Sequence, residues 1–170
     1  MDPRIIAVMS LVALTACNDT TAQLDPPEGL VAVEIEALVA LVVDTGLFPT
    51  PPPASDPWPC PAGGTASRTL VFTSPLPGTI EREGTVTLDA CATTSPGGVL
   101  TTTGSVTLDD RFVQEDGAFT EAAGSYVSSL DWTLGDRSGT CPLQLAVSAL
   151  NGGLRVSGTA CGVAVARDVR

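Results

Sequence analysis

The chain has 170 residues, with 19 acidic against 8 basic side chains, no histidine and a formal net charge of −11. Every basic residue is arginine, so histidine general-base catalysis, lysine Schiff bases and lysine phosphate clamps are excluded. The charge repels phosphate backbones and anionic headgroups, so no nucleic-acid partner is expected, and membrane attachment cannot come from surface charge.

Arg4 precedes an apolar run from Ile5 to Leu14, closed by small residues. A basic start, about ten apolar residues and a small-residue cleavage point read as a secretory signal. The run is too short for a bilayer, which takes roughly 20 residues. Its ending, Leu14-Thr15-Ala16-Cys17, resembles the lipobox of bacterial lipoproteins. The resemblance covers only the first 17 residues. It implies that lipid is attached to Cys17, that residues 1–16 are removed, and that Cys17 becomes the acylated first residue with three chains. One buried chain, at about 0.8 kcal/mol per methylene, anchors only marginally, whereas three would hold permanently. Asn18 stands where the inner-membrane retention signal carries Asp, which implies the outer membrane, on its periplasmic or surface face. Cys17 is also the odd one of five cysteines, and an odd cysteine in an exported chain needs its own explanation. Removing 16 of 170 residues leaves 154, enough for one domain with a real core.

Residues 17–29 are polar and contain two prolines, as a flexible tether does. Residues 30–47 are read as an apolar helix: Val31, Ile35, Leu38 and Val42 recur at helical spacing, and Asp44-Thr45-Gly46 supplies a stop. The start of this run also alternates like a strand, but the alternation fails from Leu38 onward. The run from Leu30 to Val43, fourteen residues interrupted only by Glu34 and Glu36, is too short to span a membrane, so the helix is expected to be buried. Residues 48–64 form a proline-rich linker, because proline lacks an amide proton and fixes φ. Trp58 lies between two of its prolines and is a candidate for packing over a sheet rim.

Residues 65–170 read as a disulfide-stapled β domain of about seven strands: Ala66–Thr73, Thr85–Cys91, Val99–Leu108, Ala118–Glu121, Tyr126–Leu134, Cys141–Leu150 and Leu154–Ala166. Leu100, Val106 and Leu108 share one parity, as do Tyr126, Leu130, Trp132 and Leu134, and Leu143, Leu145 and Val147. Turn chemistry separates the strands at 74–78, 95–98, 135–139 and 151–153. Strands without intervening helices predict a mainly β fold: one antiparallel curled sheet or small barrel, with the apolar helix packed on its apolar face.

Cys60-Pro-Ala-Gly-Gly64, Leu88-Asp-Ala-Cys91 and Val156-Ser-Gly-Thr-Ala-Cys-Gly162 together resemble a group of β-rich bacterial envelope lipoproteins that open on Cys-Pro-x-Gly-Gly. The resemblance spans roughly residues 60–162 and implies a fold without an activity.

Four cysteines remain beside Cys17, and an even number in an exported chain implies two disulfides with three possible pairings. Hairpin partners share a constant index sum. Cys60 with Cys91 centres on Pro75 and Leu76, inside a turn. Cys141 with Cys161 centres on Asn151, provided that Gly158 carries a one-residue bulge. The local pairing Cys60–Cys91 with Cys141–Cys161 is therefore expected, although Pro59 and Pro61 leave Cys60 free to reach Cys161 instead.

No Cys-x-x-Cys pair or histidine supports zinc, and no cofactor is implied. Asp109, Asp110, Glu115 and Asp116 flank an acidic stretch that is a weak calcium candidate, lacking the alternating spacing of known loops. Glu81, Glu83, Asp89, Glu121 and Asp131 are scattered. A carboxylate pair could run glycoside hydrolysis if held roughly 5–10 Å apart. The sequence therefore points to a lipid-anchored envelope protein without enzymatic activity, in a binding or structural role, with an envelope protein as a possible partner. The alternatives are a carrier of a small apolar ligand in the curved sheet and, less favoured, a glycosidase.

Overall fold

The computed structural model describes residues 29–48 and 56–169. Cys17, its tether and most of the proline-rich stretch lie outside the described residues. The fold is one antiparallel sheet of eight strands in strict chain order, curled but not closed. The strands are β1 Trp58–Pro59, β2 Thr65–Thr73, β3 Thr79–Ser95, β4 Gly98–Glu115, β5 Ala118–Leu134, β6 Arg137–Leu150, β7 Gly153–Ala160 and β8 Val163–Val169. One helix of 16 residues packs on the sheet: α1, Ala32–Ala40, continues into a π-helical segment, Leu41–Leu47.

The sheet follows from period-two alternation. The three parity sets expected on one face are all buried, from Leu100 on β4 to Val147 on β6. Trp132 belongs to that core. The helix places Ile35, Leu38, Val39, Leu41, Val42, Val43 and Leu47 in the same cluster. It touches β2, β3, β4 and β8, so elements near both edges of the sheet curl round it.

Several expectations need correction. Val31 is 39% exposed rather than buried, because it precedes the first helical turn. Asp44-Thr45-Gly46 does not stop the helix; the chain widens to a π turn in which the Phe48 N–H donates to Val43 O at 2.7 Å. Gly46 permits this, since a Cβ there would meet Val86 Cγ1 at 3.2 Å. The linker 48–64 contributes β1, whose Trp58 is buried and pairs with Ala66. Residues 118–134 form one strand where two were expected. The stretch 154–166 is two strands, separated by a turn at Cys161-Gly162.

Both disulfides are the expected ones, Cys60–Cys91 and Cys141–Cys161, with Cα separations of 5.4 and 4.5 Å. The ladder does not place them as the index sums assume. No bulge occurs at Gly158: β6 and β7 keep one register from Leu143↔Ala160 to Leu150↔Gly153. Cys161 instead sits in the β7–β8 turn at φ +50°, with its N–H on Pro142 O. Thr65↔Asp89 and Leu70↔Gly84 set β2–β3 off the assumed sum. Cys60 therefore lies before β2, on a turn that folds back toward a bulge at Ala90. Gly64, at φ +74°, makes that fold possible, because a Cβ there would lie 1.9 Å from Ala90 O.

Two measurements check this architecture. Leu38→Ala is expected to cost about 2–5 kcal/mol in urea melts, as for other buried leucines, while Val31→Ala stays within about 0.5 kcal/mol. Peptide mapping without reduction should recover only the two local bridges; a peptide joining Cys60 to Cys141 or Cys161 contradicts the fold.

Candidate functional site

The meander sorts its turns to two ends. Turns β3–β4, β5–β6 and β7–β8 lie at the end where the helix begins. Turns β2–β3, β4–β5 and β6–β7 lie where it finishes. At the near end the Glu34 carboxylate accepts the Val31 N–H at 2.9 Å and pairs with Arg137, whose Nη1 also donates to Gly29 O. Burial opposes the charge on Glu34, but the bonds from Arg137 and Val31 outweigh it and hold its pKa below the usual value. Farther along, Asp44 pairs with Arg167 of β8.

At the far end Arg82 reaches inward from β3. Its Nε and Nη2 donate to the two oxygens of Asp110, directly opposite on β4, at 2.8 and 2.6 Å. Its Nη1 donates to Leu47 O at 3.1 Å. The Tyr126 hydroxyl donates to Asp110 Oδ2 at 2.9 Å. Phe48 and Phe112 flank the guanidinium at 4.9 and 5.0 Å from its carbon. Burial opposes the Arg82 charge, but Asp110 outweighs it and raises the pKa. Burial, then the Asp110 charge, pushes the Tyr126 hydroxyl far above its ordinary range, so it stays a donor.

Beside this cluster a cleft of about 780 Å³ opens. Its apolar wall comes from Leu47, Phe48, Phe119, Leu150, Leu154 and Val169, and its charged groups are Arg68, Arg82 and Asp168. A volume of this size lies within the range of small-molecule sites.

The calcium candidates do not converge. The stretch expected as an acidic loop is mostly strand: Asp109 and Asp110 are consecutive in β4 and face opposite sides. Asp110 is buried on Arg82, Asp109 is exposed opposite Glu83, and Glu115 and Asp116 sit at the strand end and turn. Among the described residues no cluster of three or more metal-ligating side chains forms. Glu81 and Glu121 both contact Arg111 on the outer face, and Asp89 and Asp131 lie on that face in β3 and β5. Sequence reasoning missed Arg82, Tyr126, Arg68, Phe48 and Phe119. A signal for the first was present: Arg82 shares the buried parity of Val86 and Leu88, and Asp110 that of Leu108 and Phe112.

Comparison with protein-family models, curated proteins and solved structures finds no match to the chain.

Asp110→Ala is expected to cost about 3–5 kcal/mol in denaturant melts, because it strands a buried guanidinium. Tyr126→Phe should cost less, roughly 1.5–3 kcal/mol, since both Arg82 bonds to Asp110 survive. The reverse order would show that the hydroxyl, not the ion pair, dominates.

Proposed function

We propose that this chain is an envelope protein anchored by acylated Cys17, probing the space away from its membrane with a non-enzymatic binding module. The observation that carries the reading is the polarity of the helix. The segment leading from Cys17 enters at the near end, by Gly29 and Arg137, while the cleft lies beyond the helix's other end, at Leu47 and Phe48. The 12 residues after Cys17 reach at most about 40 Å when extended. An anchored molecule standing on its near end therefore turns the cleft outward. Two disulfides support an oxidising compartment outside the cytoplasm. Among the described residues no helix is long and apolar enough to cross a membrane.

The second reading, a carrier of a small apolar ligand, draws support from the same cleft. Leu38, Val42 and Val43 fill the concave face of the sheet, so a ligand belongs in the end cleft and not beneath the helix. The glycosidase reading draws no support there: Asp110 is committed to Arg82, and Asp168 pairs with Arg155.

The anchor is tested by Cys17→Ser. The variant is expected to leave the membrane fraction and to keep residues 1–16 under intact-mass analysis. An unmodified Cys17 in the wild-type chain, or a mature terminus elsewhere, overturns the reading.

A further inference from the structure

We propose that the far-end cleft takes a single-chain anionic amphiphile, a medium- or long-chain carboxylate, with Arg68 holding the head and the aromatic and aliphatic wall holding the chain. This deepens the reading of the cleft as a binding site and rests on it, but it does not depend on the Cys17 anchor.

Charge around the cleft carries the argument. Arg82 is neutralised by Asp110, and Asp168 by Arg155 at 3.6 Å. Arg68 is different. Among the described residues no carboxylate forms an ion pair with it. The carboxylate of Asp56 accepts from its main-chain N–H, at 3.4 Å to each oxygen, and not from its guanidinium. The guanidinium carbon lies 5.7 Å from the Trp58 ring, a contact that positions the cation without neutralising it. Trp58 is itself fixed, since its Nε1 donates to Thr45 O at 3.0 Å. In a molecule of net charge −11, the described residues leave this cleft one positive charge without an ion-pair partner.

The walls select the rest of the ligand. Phe48, Phe119, Leu150, Leu154 and Val169 offer dispersion contacts and no hydrogen bonds from their side chains, which suits a hydrocarbon chain. A carboxylate entering such a site without a counter-charge is strongly disfavoured. The fork of a guanidinium matches it in a bidentate, charge-assisted pair. A cationic amphiphile has the same chain but meets Arg68 with the wrong sign.

The test uses the mature chain from residue 17, made without residues 1–16 and carrying Cys17→Ser, so that neither detergent nor the apolar run competes. Titration calorimetry compares dodecanoate, dodecanol and dodecyltrimethylammonium. Dodecanoate is expected to bind at least about tenfold more tightly than dodecanol, with the cation weakest. Arg68→Gln is expected to reduce dodecanoate to the affinity of dodecanol and to leave dodecanol unchanged. Arg111→Gln, on the outer face, is expected to change neither. Val169→Asp, near the chain end, places an anion in the wall and should reject dodecanoate even where Arg68→Gln fails to fold. Equal affinity for the three probes, abolished by Val169→Asp, overturns the carboxylate assignment and leaves the cleft a binding site. Failure of dodecanoate to bind, or binding unaffected by both cleft variants, overturns the assignment outright.

Discussion

The guanidinium of Arg82 joins three parts of the chain that are far apart in sequence: β3, the Asp110 carboxylate on β4, and the carbonyl of Leu47 at the end of the helix. A helix leaves its last carbonyls without partners. Here Arg82 satisfies the carbonyl of Leu47, and Trp58 Nε1 satisfies that of Thr45. The helix therefore ends on donors that only the folded sheet supplies. A cation at a helix C-terminus and a carboxylate, Glu34, in its first turn also complement the helix dipole. A buried ion pair adds little net stability over apolar packing, because desolvation offsets most of the attraction. What it fixes is position. Glu34–Arg137, Asp44–Arg167 and Leu47–Arg82 hold the helix at its start, in its π-helical segment and at its end.

The two cysteine bridges meet the ladder in different ways. A disulfide within a regular antiparallel pair would follow the index sum of its hairpin. Neither does so. Cys161 lies in a tight turn, one position away from the β6–β7 register, and the positive φ there brings it back over Cys141. Cys60 lies on a turn ahead of β2, and the Ala90 bulge moves Cys91 to meet it. Main-chain bonds brace this second junction: Ala62 N–H donates to Ala92 O, and Ala92 N–H to Gly63 O, at 2.9 and 2.8 Å. Each bridge thus ties an irregular segment to a regular strand. Closing loops of 31 and 20 residues is worth on the order of 3 kcal/mol each in the chain-entropy account.

Much of this was legible in the sequence, for reasons that differ from element to element. The strands declared themselves where large apolar residues alternate, as at Tyr126, Leu130, Trp132 and Leu134. They did not where the inward residues are small or charged. Ala122 and Gly124 face inward between Phe119 and Tyr126, and without bulk there the strand read as two pieces. The same weakness hid the upper half of β3, whose inward residues include Arg82 and Gly84. The parity change between Val156 and Val163 was visible but ambiguous, since a bulge and a hairpin turn both reverse a face. The cleft was not legible at all. Its walls come from the helix end, two turns and six strands, and only tertiary closure brings Phe48, Arg68 and Val169 together.

The distribution of charge connects fold to site. The six described arginines lie at 68, 82, 111, 137, 155 and 167. Three secure the helix, two pair with carboxylates on the exposed face, and one stands at the cleft. The excess acid is left on the outer surface, where Glu83 and Asp109 face each other across adjacent strands at some cost in like-charge repulsion. That repulsion has a use at the edges of an open sheet. Beyond Ala66 the outer edge of β2 is not paired with β1, and Val71 and Phe72 are exposed on it. An edge of this kind templates association unless something opposes it. Pro75 and Pro77 in the adjoining turn offer no amide proton for further ladder bonds, and Glu83 on the neighbouring strand adds like-charge repulsion against an acidic partner. The same acidic surface opposes the approach of an anion, so the anionic ligand proposed for the cleft depends on the charge of Arg68 for its attraction.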